Sequence, residues 1–326
     1  MCYNIYGDSM KIGILGAGKY ALALASILSD NKQDITIYSK IKDEIDSLEK
    51  DKPDYLKNAY LTNNLEECIK NNDLILVVIP ATFTDSIFKD MSKYLDDTKH
   101  ICIATKGIDP SSFLLMHELL DKYYKTNNLS ILSGPSFAID IFDKMPVGLS
   151  LATRNSDTGI LFSKAFSNNY IKIRINDDVI GTELCGTLKN VMALATGILT
   201  GLKANESTKA MFITESLHDI KTVIEIFGGN TKTIQSFAGI GDLILTCTSP
   251  KSRNFKFGTM LGENMSQEDI DDFLKNNTVE GVNTVTAFRE RLKINNQSSE
   301  IIDLINDIIT GNKKQIELLN FLIEKK

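Results

Sequence analysis

The segment CGTLKNVMALATG, Cys185–Gly197, contains adjacent lysine and asparagine residues in otherwise small or apolar surroundings. At helical spacing the segment carries an apolar stripe, formed by Leu184, Leu188, Val191, Ala195 and Ile198. No residue three or four positions from Lys189 is an acid, so Lys189 lacks the usual partner of a surface lysine. A lysine that extends to solvent from a half-buried helix would also fit this pattern. Other segments must therefore decide between a chemical and a structural role.

A second candidate is Gly16-x-Gly18-x-x-Ala21, which follows the apolar segment KIGIL and precedes the helical segment ALALASIL. Glycines at these positions permit a tight turn and let backbone N–H groups approach a pyrophosphate. The N-terminus of the following helix favours an anion. Strand, glycines and helix in this order predict a dinucleotide-binding loop.

The end of the second predicted strand bears on the choice of cofactor. It reads Tyr38-Ser39-Lys40, with Lys42 close by, and lacks an aspartate or glutamate. An acid there would bind the ribose 2′-hydroxyl of NAD and repel a 2′-phosphate. These residues therefore favour NADP(H), with NAD(H) as the alternative. Solvated loop residues are the structural interpretation of the same pattern.

Two further strand ends have the composition of anion-binding loops. ICIAT runs into Lys106-Gly107, and the next strand ends in SGPSFA, where Gly134 and Pro135 form a sharp turn before Ser136. Ligands bind outside the carboxyl ends of parallel strands. Turn chemistry explains each loop alone. Their occurrence at successive strand ends predicts a binding role.

The segment AGIGDLILTCTSPKSRNFKFG is the third polar feature, and it lies in the second half of the chain. Asp242 is surrounded by apolar residues, and Ser252-Arg253-Asn254 opens a predicted helix. A guanidinium, an amide and backbone N–H groups at a helix start can bind a phosphate. The structural alternative is a helix cap beside a solvated arginine.

The elements that position these residues change character along the chain. Seven strand-like segments alternate with helical segments such as FTDSIFKDMSKYL and SSFLLMHELLDKYY, and the strands are MKIGIL, DITIYS, DLILVVIP, HICIAT, NLSILSG, VGLSLAT and YIKIRI. This alternation predicts βαβ units. Helices are predicted afterwards at 179–202, 207–227, 231–247, 253–263, 266–275, 281–293 and 298–325.

The predicted fold class is therefore α/β, with an N-terminal Rossmann-like doubly wound sheet and a C-terminal all-helical domain. The predicted boundaries are 1–9 for an N-terminal extension, 10–178 for the dinucleotide-binding domain and 179–326 for the helical substrate and catalytic domain.

Composition narrows the class of function. The net charge of -6 argues against a general nucleic-acid surface. Five scattered cysteines without a CxxC pair fit reduced thiols and a cytoplasmic location, and three distant histidines predict no metal site. No run of 18 apolar residues is present, so no membrane span is expected. Residues 1–9 lack the basic and apolar regions of a secretory signal.

Taken together, the segments resemble the soluble NAD(P)-dependent glycerol-3-phosphate dehydrogenases. From Lys11 to Gly281 they stand in the order of that family: GAGKYALALA, VVIPATF, ATKG, SGPSFA, GTLKNVMALATGI, AGIGDLILTCTSPKSRNFKFG and VEG. The resemblance implies reversible hydride transfer between NAD(P)H and dihydroxyacetone phosphate, giving sn-glycerol 3-phosphate for phospholipid synthesis. It also implies a homodimer.

The resemblance also assigns roles to residues. Lys189 is the implied general acid and base, and apolar, acid-free surroundings with cationic Lys106 and Arg253 are expected to lower its pKa. Asp242 is expected to act in the opposite direction and to orient Lys189 or a substrate hydroxyl. The other implied catalytic residues are Lys106, Asn190, Asp242 and Thr246. The implied substrate-binding residues are Lys106, Gly134, Ser136, Lys189, Asp242, Ser252, Arg253 and Asn254. The implied cofactor-binding residues are Gly16, Gly18, Lys19, Tyr20, Ala21, Lys40, Lys106, Ala138, Arg253 and Glu280.

The chain departs from the family pattern at four positions. Ala21 replaces a glycine, Asp140 replaces a glutamate, Ser207 replaces an asparagine and Glu215 replaces an arginine. The residues implied in the chemistry are retained, which predicts an active enzyme. The charge reversal at Glu215 motivates one alternative, a regulator that binds NADP without turnover. The other alternative is a related two-domain 3-hydroxyacid dehydrogenase.

Overall fold

The structure is a computed structural model that describes residues 9–324. Apart from Ser9, the predicted N-terminal extension lies outside the described residues. The chain divides into two units. The sheet unit contains residues up to Thr105 together with His117–Leu132 and Ser136–Val179. The helical unit contains Lys106–Met116, Ser133–Pro135 and the chain from Ile180 onward, so two short segments of the first half belong to it.

The sheet has eight strands in the order β3-β2-β1-β4-β5-β6-β7-β8. They are β1 Lys11–Leu15, β2 Asp34–Tyr38, β3 Tyr60–Thr62, β4 Leu74–Val77, β5 His100–Ile103, β6 Leu129–Ser133, β7 Val147–Thr153 and β8 Ile171–Asn176. The pairs from β3 through β6 are parallel, as is β7 with β8. The N–H of Arg154, just after β7, donates to Leu129 O at the start of β6, so these two strands run antiparallel. The predicted doubly wound sheet is confirmed, with the short β3 as an addition.

Helices flank these strands along the chain: α1 Lys19–Asp30, α2 Lys42–Lys50, α3 Leu65–Lys70, α4 Ala81–Met91, α5 Met116–Tyr123, α6 Ala138–Phe142 and α7 Ser156–Phe166. Leu24, Leu28 and small residues of α1 pack with Ile14 and Ile37 of the strands in one core cluster. Burial of each such leucine or isoleucine stabilises the fold by about 1.5–3 kcal/mol.

Helix α5 starts later than the helical segment SSFLLMHELLDKYY predicts. The Asp109 carboxylate accepts hydrogen bonds from the N–H groups of Ser111 and Ser112, at 3.2 and 2.7 Å. Phe113 has φ of 58°, a left-handed conformation that a helix cannot contain. An aspartate that binds the backbone locally thus displaces the first turn of the predicted helix.

The helical unit contains eight α-helices among the described residues: α8 Val179–Gly201, α9 Glu206–Ile226, α10 Asp242–Thr248, α11 Arg253–Gly262, α12 Gln267–Asn276, α13 Glu280–Ile294, α14 Glu300–Ile309 and α15 Glu317–Glu324. The single helix predicted at 298–325 is wrong, because the chain leaves α14 at Gly311 with φ of 77°. The helix predicted at 231–247 is interrupted at Gly239, where an added Cβ would lie 2.2 Å from Ile234 O.

Helix α8 is the centre of this unit, and it packs backbone to backbone against α11. An added Cβ on Gly197 would lie 2.1 Å from Phe255 O, and one on Gly258 would lie 2.0 Å from Leu194 O. Only glycines allow such an approach. The contact fixes the start of α11 relative to Lys189 on α8. Within residues 9–324, no helix combines the length and apolar character that crossing a membrane requires.

Candidate active site

Two lysines share one buried carboxylate in the helical unit. Lys189 Nζ donates to Asp242 Oδ1 at 2.5 Å and to Thr246 Oγ1 at 3.0 Å. Lys106 Nζ donates to Asp242 Oδ2 at 2.8 Å and to Gly134 O at 3.4 Å. Asp242 is 0% and Lys189 7% exposed. The structure thus brings together residues from the loop after β5, the turn after β6, α8 and α10.

This arrangement sets the pKa values of both partners. Burial lowers the pKa of Lys189, Asp242 raises it, and Lys106 lowers it again, to about 8 from the usual 10.5. Burial raises the pKa of Asp242, but Lys106 and Lys189 outweigh burial and hold it below its usual value. The predicted lowering of the lysine pKa is confirmed. The surroundings of Lys189 are free of acids only at helical spacing: Asp242 contacts it from 53 residues further along the chain and opposes the lowering of its pKa, as expected.

Thr187 holds the loop that carries Lys106, a role that sequence reasoning missed. Its fully buried hydroxyl accepts from Gly107 N at 3.3 Å and donates to Gly107 O at 3.2 Å. Ile108 and Leu115 form an isolated bridge, and both pack in the core of the helical unit. Lys106 is therefore anchored through the residue beside it.

A second set of predicted residues meets where α13 begins. Asn190 Nδ2 donates to Glu280 Oε2 at 3.3 Å, and Gly281 N donates to Asn254 Oδ1 at 2.9 Å. Burial raises the pKa of Glu280, and Arg253 provides the largest opposing effect. An added Cβ on Gly281 would lie 2.7 Å from Asn190 O. Side chains from α8, α11 and α13 are thus joined.

The Ser252-Arg253-Asn254 segment opens α11 as the sequence predicts. Ser252 Oγ accepts from Phe255 N at 3.2 Å, which makes Ser252 the N-cap. Arg253 is exposed, whereas Asn254 is buried. The helix start thus offers backbone N–H groups and a solvent-facing guanidinium, both of which favour an anion.

The two glycines of the loop in the sheet unit are needed for different reasons, Gly16 for the fold and Gly18 for open space beside the loop. Gly16 has φ of 124°, an added Cβ would lie 2.3 Å from Val78 O, and its N–H donates to Tyr38 O at 2.9 Å. The fold itself therefore requires Gly16. An added Cβ on Gly18 would meet nothing within 4 Å, so open space lies before α1. Ala21 is buried in α1, where a small third residue fits the sheet packing.

The other predicted cofactor residues of the sheet unit differ in exposure. Tyr20 OH and Ser136 Oγ share a hydrogen bond of 2.9 Å. Ala138, the first residue of α6, is half-buried. Lys19 and Lys40 are exposed. The structure thus joins Tyr20 with Ser136 and leaves both lysines open to solvent.

A cavity of about 710 Å³ lies between α3 and α4 in the sheet unit. It contains none of the residues predicted to bind cofactor or substrate. Its lining residues are Tyr38, Thr62, Asn63, Asn64, Leu65, Glu66, Asp90, Lys93 and Tyr94.

The glycine loop lies between β1 and α1, in a sheet whose strands from β3 through β6 are parallel, and the same chain buries a lysine of lowered pKa. These features indicate a class of protein. That class is the dehydrogenases that bind a dinucleotide. Residues 11–159 match the family profile of the NAD-dependent glycerol-3-phosphate dehydrogenase N-terminus. Residues 178–320 match the profile of the C-terminus of the same enzymes. The chain belongs to the NAD-dependent glycerol-3-phosphate dehydrogenase family.

Individual relatives agree with this assignment. The chain is 35% identical over 319 residues to a glycerol-3-phosphate dehydrogenase [NAD(P)+] of Lactobacillus helveticus, covering 93% of each chain. It is 30% identical over 326 residues to that of Fusobacterium nucleatum, covering 96% of each. The crystal structure of glycerol-3-phosphate dehydrogenase from Coxiella burnetii matches with a TM-score of 0.90 and 27% identity, over 97% of this chain and 99% of that one.

These matches confirm the predicted family and fold class and the prediction of an oxidoreductase with a nicotinamide cofactor. They give no support to the regulator or to the 3-hydroxyacid dehydrogenase. Glu215 is half-buried on α9, and Ser207 is exposed at the start of the same helix.

Proposed function

We propose that this chain catalyses the reversible reduction of dihydroxyacetone phosphate to sn-glycerol 3-phosphate, with Lys189 as the general acid and base. The observation that carries the proposal is a buried lysine with a pKa of about 8 that shares Asp242 with Lys106. Such a lysine exchanges a proton near neutral pH, which an unperturbed lysine does not. Family membership supplies the substrate and the reaction.

The proton follows a defined route in this proposal. The nicotinamide, when bound, supplies a hydride to the C2 carbon of the substrate. Lys189 gives a proton from Nζ to the C2 oxygen during reduction and takes one back during oxidation. Asp242 holds Nζ in place, and Thr246 fixes it from a second direction. Burial and, to a smaller degree, Lys106 keep the pKa of Lys189 low, so that the proton can leave.

The substrate phosphate is assigned to the start of α11. Ser252, Arg253 and Asn254 provide a helix N-terminus, a guanidinium and an amide, and Asn254 is held through its Oδ1 by Gly281 N. Binding a phosphate remote from the carbonyl supplies energy that orients the reacting group against Lys189. The proposed substrate site also includes Gly134 and Ser136, alongside Lys106, Asn190 and Asp242.

Residues 10–178 form the proposed dinucleotide-binding domain, and residues 179–326 form the proposed substrate and catalytic domain. The first range corresponds to the sheet unit apart from Lys106–Met116 and Ser133–Pro135, which belong to the helical unit. Lys40 at the end of β2 favours NADP(H), with NAD(H) as the second cofactor. The residues proposed to hold the cofactor are Gly16, Gly18, Lys19, Tyr20, Ala21, Lys40, Lys106, Ala138, Arg253 and Glu280.

The cellular setting of the proposal follows from the same family. The product supplies glycerol 3-phosphate to phospholipid synthesis, and the enzyme acts in the cytoplasm as a homodimer. The cytoplasmic location is supported by cysteines that lack a pairing pattern. The dimer is supported by family membership alone.

The test follows absorbance at 340 nm with dihydroxyacetone phosphate and either NADPH or NADH. Wild type should oxidise both, and Lys189→Ala should lose about 10²–10⁴-fold in kcat while still binding cofactor. Lys203→Ala is the matched control, because that lysine is exposed and pairs with Glu263 on the surface. A wild-type enzyme that binds NADPH without substrate-dependent oxidation would overturn the proposal.

A further inference from the structure

A carboxylate lies at the end of β2, although no acidic residue directly follows this strand in the sequence. Ser39 stands where an acid commonly follows this strand, but Ser39 Oγ donates to Glu44 Oε2 at 2.6 Å. The same Oγ accepts from Ile41 N at 3.1 Å. Glu44 lies in the first turn of α2. Helix α2 therefore places the Glu44 carboxylate beside the end of β2.

This carboxylate lies on the side of the sheet where the glycine loop begins. Gly16 N donates to Tyr38 O, so the last residue of β2 contacts the loop directly. Ser39 is the next residue, and it is held by Thr62 O, which accepts from Ser39 N at 3.3 Å, and by Asn63 Nδ2, which donates to Ser39 O at 2.8 Å. Ser39 is 6% exposed, whereas Glu44 is exposed. The pair is thus anchored at Ser39 and open at Glu44.

The second carboxylate oxygen of Glu44, Oε1, can accept a hydrogen bond from a ribose hydroxyl. Among residues 9–324, no hydrogen bond to its second oxygen, Oε1, is found beyond the Ser39 contact to Oε2. An acid at the Ser39 position, about 20 residues after the glycine loop, would accept the ribose 2′-hydroxyl of NAD and repel the 2′-phosphate of NADP. Glu44 comes later in the chain, but its hydrogen bond to Ser39 holds a carboxylate at this position. Lys40 has the opposite preference, and its charge is also felt by Asp90, whose pKa it helps to lower.

We propose that Glu44 is a cofactor-specificity residue of this enzyme. Its carboxylate accepts the adenosine ribose 2′-hydroxyl of NAD(H) and opposes the 2′-phosphate of NADP(H). Glu44 thereby offsets the preference of Lys40 for NADP(H), and the site binds both cofactors. The inference rests on the proposed function only in that a nicotinamide dinucleotide binds the sheet unit.

The test compares Glu44→Gln with Asp43→Asn. Both changes remove one exposed negative charge from the first turn of α2, but no bond from Asp43 to Ser39 is seen in the described chain. In Glu44→Gln the amide oxygen of the new side chain would still accept the Ser39 hydrogen bond, so the fold is preserved. For each variant, kcat/KM is measured with NADPH and with NADH, and thermal unfolding is recorded.

Glu44→Gln should raise the ratio of kcat/KM for NADPH to that for NADH by about tenfold, equivalent to about 1.4 kcal/mol. Asp43→Asn should change the ratio by less than about twofold, because exposed charges further from the ligand are screened. Lys40→Ala should lower the ratio. The inference is overturned if Glu44→Gln leaves the ratio within about twofold of wild type or shifts it no more than Asp43→Asn does.

Direct binding separates this inference from the proposed reaction. The dissociation constants of NADP+ and NAD+ are measured by isothermal titration calorimetry without substrate. A selective gain in NADP+ affinity for Glu44→Gln supports the inference even in a preparation that does not reduce dihydroxyacetone phosphate. Turnover with an unchanged ratio of the two dissociation constants refutes the inference and leaves the reaction intact.

Discussion

A change of pH from 7 to 9 tests the proton transfer assigned to Lys189. Its folded pKa of about 8 is lowered from 10.5 by burial, with Asp242 raising it and Lys106 lowering it further. Reduction needs the protonated amine and should lose rate as the pH rises through this pKa. Oxidation needs the neutral amine and should gain rate over the same interval. The two directions must therefore respond with opposite signs.

The magnitude follows from the same pKa. At a pKa of about 8, roughly nine tenths of the lysine is protonated at pH 7 and roughly one tenth at pH 9. The value of kcat/KM for reduction should therefore fall about tenfold, and that for oxidation should rise about tenfold. Cys247 does not produce this change, because burial raises the pKa of its thiol to about 12. The substrate phosphate, with a second pKa of about 6, is already ionised at pH 7.

The assay is the 340 nm rate at low substrate in both directions, over a pH series that spans this range. Asp242→Asn should move the transition to lower pH, because the carboxylate raises the pKa of Lys189. In Lys189→Ala the residual rate should lose the transition. A flat profile between pH 7 and 9, or changes of equal sign in the two directions, would refute the assignment.

Three substitutions test other parts of the structure. Gly18→Ala should leave the melting temperature within about 2 °C of wild type, since the added Cβ meets no protein atom within 4 Å, but should raise the KM for cofactor. Gly258→Ala should lower the melting temperature by several degrees, because overpacking against Leu194 O costs about 1–3 kcal/mol, and circular dichroism would detect this loss. Thr187→Val should release Gly107, so that Lys106 loses its position and no longer lowers the pKa of Lys189, and the pH transition should shift upward. Thr187→Ser should keep wild-type behaviour. An unshifted transition in the valine variant would contradict this role.

Local features of the fold could be predicted from the sequence because their causes lie within a few residues. Short segments rich in isoleucine, valine and leucine identified seven of the eight strands, and the glycine loop identified the start of α1. The short strand β3 has only three residues, too few for a pattern to show. The predicted helix ends were wrong where one residue had a stronger effect on the backbone than the apolar spacing, as at Asp109 before α5 and at Gly311 after α14.

Residues that can take part in acid–base chemistry could also be recognised from their type and sequence context. Lys189 stood out because it lacks an acid at helical spacing, and Asp242 because it interrupts an apolar run. Both are buried in the structure. Residue spacing could not show that they form one ion pair, and only the family resemblance implied that Asp242 acts on Lys189. Their separation of 53 residues gives no local pattern from which a contact can be inferred.

The sequence by itself therefore determined the fold class, seven of the eight strands, the glycine loop and the residues capable of proton transfer. Tertiary structure alone decided their partners. It placed Asp242 between Lys106 and Lys189, which sets the pKa of the proposed catalytic lysine through burial and opposing charges. It also turned α2 so that Glu44 meets Ser39 at the end of β2. Contacts and burial depend on how distant segments pack, and these properties determine the pKa values and charges that a ligand meets.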